Sequence, residues 1–92
     1  MFKDLDPLIH SQVRLAIMST LMGVEEADFL YLKEVSKAAA GNLSVQLTNL
    51  SEAGYITVKK GFKGKRTRTT CQITQKGKLA FEAYVKALKG YL

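Results

Sequence analysis

Ninety-two residues leave room for one domain, 1–92, with a single modest core. Hydrophobic residues make up 47% and charged residues 24%, a globular composition that excludes a disordered or fibrous chain. The net charge of +6 is concentrated: residues 53–81 hold eight of the fourteen Lys/Arg and none of the eight acids. Such a local field suits a polyanion, nucleic acid ahead of an anionic membrane surface. No apolar run reaches the roughly 18 residues of a membrane span. The start Met-Phe-Lys-Asp-Leu-Asp-Pro lacks the pattern of a secretion signal, so a cytoplasmic protein is expected.

In chain order, Asp6-Pro7 reads as an N-cap followed by proline at the first helical position, opening a helix over 7–22 that Gly23 ends. Its apolar residues, among them Leu8, Val13 and Ile17, spread almost all round the wheel, which calls for cover on every side. An acidic loop, Val24 to Asp28, leads to a short helix near 30–38, with Phe29 either in it or in a small edge strand. Gly41-Asn42 then opens a helix over about 43–53. At 100° per residue Leu43, Leu47 and Leu50 share its inner face, while Asn42, Val45, Thr48 and Asn49 point outward, flanked by Ser44 and Gln46. Gly54 closes this helix, with Tyr55 placed for a Schellman cap.

From residue 55 the apolar period changes to two. Ile56 and Val58 alternate with Thr57 and Lys59, and Cys71 and Ile73 with Thr70 and Gln72, so 55–74 reads as a hairpin with a glycine-containing loop. Lys59, Lys60, Lys63, Lys65, Arg66 and Arg68 make it strongly basic, and Phe62, the lone aromatic near its tip, is expected to pack at the loop base. Thr74 caps a final helix, 75–92. Its apolar residues, including Phe81, Tyr84, Leu88 and Tyr91, exceed what a monomer's surface helix needs, and a homodimer is the simplest use of the surplus.

The pattern Leu-Ser-x-x-Leu-x-x-Leu-x-x-x-Gly-Tyr over 43–55, followed by the basic hairpin and by Arg68-Thr69-Thr70-Cys71-Gln72-Ile73-Thr74-Gln75-Lys76-Gly77, resembles winged-helix transcription regulators. The likeness is nearest to the small one-domain members of the MarR/ArsR-like group. It implies a mainly α fold with a small β-hairpin: three N-terminal helices, a two-stranded wing and a long C-terminal helix. It also implies a dimeric regulator of double-stranded DNA and no enzyme.

An α-helix fits the major groove, where the start of the second helix of a helix-turn-helix meets base edges. Asn42, Ser44, Gln46, Thr48 and Asn49 can donate to and accept from bases, and Val45 can meet a thymine methyl. Lys59, Lys60, Lys63, Lys65, Arg66 and Arg68 would hold phosphates or enter the minor groove. Simpler roles stay open for some of these: Asn42 as a cap, Ser44 bonded to its own backbone. Arg14 reads as a paired structural or interface arginine, and Lys33 and Lys37 as either solvated or backbone-contacting. The dimer surface would use Leu8, Val13, Ile17, Phe81, Tyr84, Leu88 and Tyr91.

Cys71 and His10 are single and far apart, which gives no zinc spacing and no metal or other cofactor. Cys71 is expected to face the core beside Ile73, with a redox-sensing thiol as the alternative. No phosphate-cradling loop or nucleophile elbow is present, so catalysis is not expected. The other functional class is a protein-interaction module whose apolar outer helices bind a partner.

Overall fold

The computed structural model describes residues 2–92. Its elements are α1 (Gln12–Met22), β1 (Ala27–Asp28), α2 (Phe29–Ser36), α3 (Ala40–Glu52), β2 (Ile56–Lys63), β3 (Arg66–Ile73) and α4 (Gln75–Lys89). The three strands form one antiparallel sheet in the order β1-β3-β2. This is the winged-helix arrangement, with β1 added to the expected two-stranded wing. β1 pairs Ala27 with Cys71 and Asp28 with Thr70, so the loop before α2 is pinned to the base of the wing.

The core is built where the helices meet that sheet base. Ile9, Ile17, Met18, Leu21, Leu32, Leu43, Leu50, Ile56 and Cys71 are fully buried there. Each large apolar side chain contributes roughly 1.5–3 kcal/mol by leaving water. α1 is the central element, in contact with α2, α3, α4 and β3. Its apolar residues spread round the wheel because neighbours lie on several sides.

The first helix starts later than expected. Residues 7–9 form a turn, Ser11 is extended (φ −153°, ψ 133°) and caps nothing with its side chain, and α1 begins at Gln12. Asp6 is engaged elsewhere: Oδ1 accepts from the Leu8 N–H at 2.9 Å and Oδ2 from the Tyr55 hydroxyl at 2.5 Å. The resulting bend lets Ile9 drop fully into the core.

α2 begins at Phe29, capped by Asp28, whose carboxylate accepts from the Tyr31 N–H at 2.8 Å. It ends at Lys37, which is left-handed (φ 58°). α3 then starts at Ala40, so Gly41 and Asn42 lie inside its first turn and Asn42 is not its cap. Its end is a Schellman motif: the Tyr55 N–H donates to the Leu50 carbonyl and the Gly54 N–H to the Ser51 carbonyl, both at 3.0 Å. Gly54, at φ +80°, supplies the left-handed residue.

Thr74 joins the wing to α4. Its hydroxyl donates to the Gly54 carbonyl at 2.6 Å and accepts from the Gly77 N–H at 3.0 Å, so one side chain ties the end of α3 to the start of α4. Tyr84 of α4 is buried and its hydroxyl lies 2.9 Å from His10 Nδ1.

Candidate nucleic-acid interface

α3 presents its apolar stripe, Leu43, Leu47 and Leu50, to the core. The opposite side carries exposed Asn42, Ser44, Val45 and Thr48, with Asn49 half-buried. Val45 is 55% exposed, and with Ser44, Thr48 and Asn49 it lines a shallow hollow of about 230 Å³. Ser44, Val45, Thr48 and Asn49 therefore form one contiguous patch. The Thr48 hydroxyl donates back to the Ser44 carbonyl at 3.0 Å, which leaves its oxygen able to accept.

Gln46 is placed differently. Its Nε2 donates to Asn42 Oδ1 at 2.9 Å, and its Oε1 accepts from the Arg14 guanidinium. Arg14 also donates through Nε to the Leu8 carbonyl. A chain of contacts thus runs from the N-terminal turn through α1 to the first two turns of α3. Arg14 is a paired structural residue, as expected, but no local pattern signals that its partner is Gln46 of α3.

The wing's register sorts its side chains by face, since directly paired residues share one. Lys63 pairs with Arg66, Gly61 with Arg68 and Lys59 with Thr70, so Lys59, Lys63, Arg66 and Arg68 make a cationic face. Val58 pairs with Cys71, Lys60 with Thr69 and Phe62 with Thr67, so Lys60 and Phe62 belong to the other face. Lys65 sits in the two-residue loop with Gly64, whose φ of +65° fits the first central position of a type II′ turn. Among the described residues Arg68 is the one of these cations in an ion pair, with Asp28 at 3.7 Å.

Phe62 does not pack at the loop base. It is 77% exposed, because the strands run on to Lys63 and Arg66 and carry it well beyond the last core residue of β2. Between the wing and α3 lies a cleft of about 430 Å³. Its walls include Ser44, Thr48 and Glu52 of α3 and Val58, Lys60 and Thr69 of the hairpin.

Of the residues expected at a dimer surface, Ile17 (0% exposed) and Tyr84 (3%) lie inside this chain's own core, which removes them from any surface a partner could reach. Leu8, Val13, Phe81 and Leu88 are half-buried against that core. Tyr91 is 46% exposed, stacks on Phe2 with ring centroids 4.5 Å apart, and donates to the Lys3 carbonyl at 3.0 Å. Cys71, on the central strand β3 between Ala27 of β1 and Val58 of β2, is fully buried, and desolvation pushes its thiol up to about 11, the opposite of a reactive thiolate. Among the described residues no group of three or more His, Cys, Asp or Glu is placed to hold a metal ion, and no helix is long and apolar enough to cross a membrane.

A helix-turn-helix whose second helix stands beside a basic β-hairpin defines a winged-helix module. Residues 13–92 match the family described as the winged helix DNA-binding domain, and the chain belongs to that family. The uncharacterised protein MJ0432 of Methanocaldococcus jannaschii is 38% identical over 78 residues, 85% of each chain. The transcriptional regulator homologue of Pyrococcus horikoshii OT3 has a TM-score of 0.83 at 27% identity, covering 91% of this chain and 83% of that one. A mutant MarR of E. coli, complexed with operator DNA, shares the fold with a TM-score of 0.71 at 18% identity, over 86% of this chain and 54% of that one. The chain is thus a winged helix DNA-binding domain, and solved structures that share its fold include transcriptional regulators.

Proposed function

We propose that this chain is a homodimeric transcription regulator that reads double-stranded DNA with the N-terminal half of α3 in the major groove and grips the backbone or minor groove with the wing. The observation that carries this is the pairing of two surfaces of different chemistry. One is the short polar and apolar patch Ser44, Val45, Thr48 and Asn49; the other is the cationic face Lys59, Lys63, Arg66 and Arg68. The patch has the size and group types to discriminate base edges, whereas the wing has charge and little shape. Like charges directly opposite in a hairpin destabilise it, and Lys63 and Arg66 face each other without an acid in the wing to offset them. A polyanion would relieve that cost.

Dimerisation is supported by apolar surface on the outer helices. Met22 of α1 and Phe81 and Val85 of α4 line an apolar groove of about 320 Å³, and Leu79 is 59% exposed nearby in sequence. With Leu8, Val13, Leu88 and Tyr91, this surface could be shared with a second copy. Asn42 and Gln46 act in the same interface, Gln46 in a geometry set by Arg14.

Selection of bound sequences from a random duplex pool tests the whole reading. A palindromic motif with half-sites about 10 bp apart is expected. Failure to retain any duplex, or a preferred sequence that is short and asymmetric, would overturn the dimeric reader.

A further inference from the structure

Phe62 has no role in the fold. Its cross-strand partner is Thr67, its ring is 77% exposed, and Gly64-Lys65 makes the turn without it. Single exposed apolar residues are common and need no explanation by themselves. This one differs in where it stands and in what surrounds it. It lies on the face that continues from Ile56 through Val58 and Lys60, the face that lines the cleft shared with α3. It also stands six residues beyond buried Ile56, roughly 20 Å along the strand at ~3.3 Å per residue. Half a helical repeat of B-DNA, roughly 17 Å, separates a major groove from the adjoining minor groove. The wing's reach beyond the core is therefore comparable to the spacing of adjoining grooves.

Its neighbours are cations: Lys60 on the same face, Lys63 beside it, Lys65 and Arg66 round the turn. An apolar tip inside a cationic rim is complementary to a ligand with an anionic rim and an apolar interior. Duplex DNA is that ligand, with phosphates bordering a stack of bases. Resting on the reading that the wing meets DNA, we propose that Phe62 is a wedge. It enters the minor groove beside the segment read by α3, partly unstacks one base step, and bends the duplex. Inserted apolar side chains kink DNA in this way when nearby cations hold the flanking phosphates. The cationic face of the wing then supplies affinity, and Phe62 sets the shape of the bound duplex, favouring flexible pyrimidine–purine steps.

The test compares wild type, Phe62→Ala and Phe62→Leu on a duplex carrying the selected sequence, labelled at its ends with donor and acceptor dyes. Wild type should shorten the end-to-end distance. Phe62→Ala should bind about tenfold more weakly (about 1.4 kcal/mol), leave the duplex straight, and keep the salt dependence, because no phosphate contact is lost. Phe62→Leu should recover part of the bend. Since the ring is exposed, all three proteins should melt alike. A straight duplex under wild type, or a bend unchanged in Phe62→Ala, overturns the wedge while leaving the DNA reader standing. A change of oligomeric state in Phe62→Ala with DNA binding intact places the ring at a protein contact and overturns it as well. Absence of any wild-type binding defeats the reader and the wedge together.

Discussion

Gly77 of α4 lies against the backbone of Tyr55 so closely that a Cβ on it would stand 2.1 Å from the Tyr55 carbonyl oxygen. The same carbonyl accepts from the Thr74 N–H at 3.0 Å, so it cannot swing away without breaking the junction of wing and α4. Ile73 Cγ1 would be only 2.9 Å from that Cβ on another side. The residue therefore sets how near the last helix comes to the end of α3 and the start of the wing.

For Gly77→Ala two effects oppose each other. Alanine gains about 1 kcal/mol of helix propensity over glycine. A clash with backbone that is itself hydrogen-bonded costs more, about 3 kcal/mol or above. The expected result is a melting temperature lower by about 12 °C or more for a chain of this size. A variant melting at or above wild type would show that α4 can shift outward freely.

Tyr55 is also tied to the N-terminal turn. Its hydroxyl donates to Asp6 at 2.5 Å, and that bond, with desolvation and the adjacent carboxylate, pushes the phenol up to about 12. A folded pKa above the unfolded value means stabilisation that is complete below about pH 10 and lost as pH rises from 10 towards 12. Tyr55→Phe should cost about 1 kcal/mol near neutral pH, a discounted value because the side chain is only half-buried. The gap between the two proteins in denaturant unfolding should narrow above pH 10. A gap that persists unchanged at the highest pH would assign the loss to packing.

Much of this organisation was legible because it is local. The Leu43, Leu47, Leu50 stripe, the Gly54-Tyr55 cap, the period-two strands and the Thr74 cap each follow from residues within one or two turns of one another. What was not legible depends on partners far away in sequence. Asp6 looked like a helix cap because nothing in the sequence reveals that Tyr55, 49 positions on, takes its carboxylate. The Arg14–Gln46 contact spans 32 positions. Two-residue β1 exists only because β3 offers it an edge, and Phe62 is exposed because the strands extend further than their apolar alternation indicates.

If α3 reads DNA as proposed, the Arg14–Gln46 contact makes Arg14 a positioning residue for it. Removing it in Arg14→Ala frees Gln46 and releases the Leu8 carbonyl, at about 1–2 kcal/mol of stability. Arg14→Lys should not restore the network, because an ammonium lacks the fork that reaches two acceptors. At a temperature where both variants are folded, sequences selected from the random pool should change where the first two turns of α3 meet DNA, while salt dependence stays as in wild type. An unaltered motif would reduce Arg14 to a structural tie.

Buried Cys71 should be chemically silent in the native state. Its thiol is held protonated to about 11, so a thiol-directed reagent at about pH 8 should react only as fast as the protein unfolds, and at once in denaturant. Cys71→Ser should cost about 1–3 kcal/mol, since a hydroxyl would replace the thiol in an apolar site. Rapid stoichiometric labelling of folded protein would show that β1 lifts from β3 and would revive a redox role.

The wing's charge and the α3 patch should separate cleanly in salt titrations. Each phosphate contact contributes about −0.9 to the slope of log K against log salt concentration. Replacing Lys63, Lys65 and Arg66 together by alanine should make that slope shallower by about 2.7 and weaken binding to the selected and mixed-sequence duplexes alike. Those residues are exposed, so the melting temperature should hold or rise as the Lys63–Arg66 repulsion disappears. Val45→Ala should do the reverse: an unchanged slope, and a loss confined to the selected sequence, where a methyl contact to thymine is worth about 1 kcal/mol. A shallower slope for Val45→Ala, or sequence-dependent weakening for the triple variant, would mean that the roles of reader and clamp are exchanged.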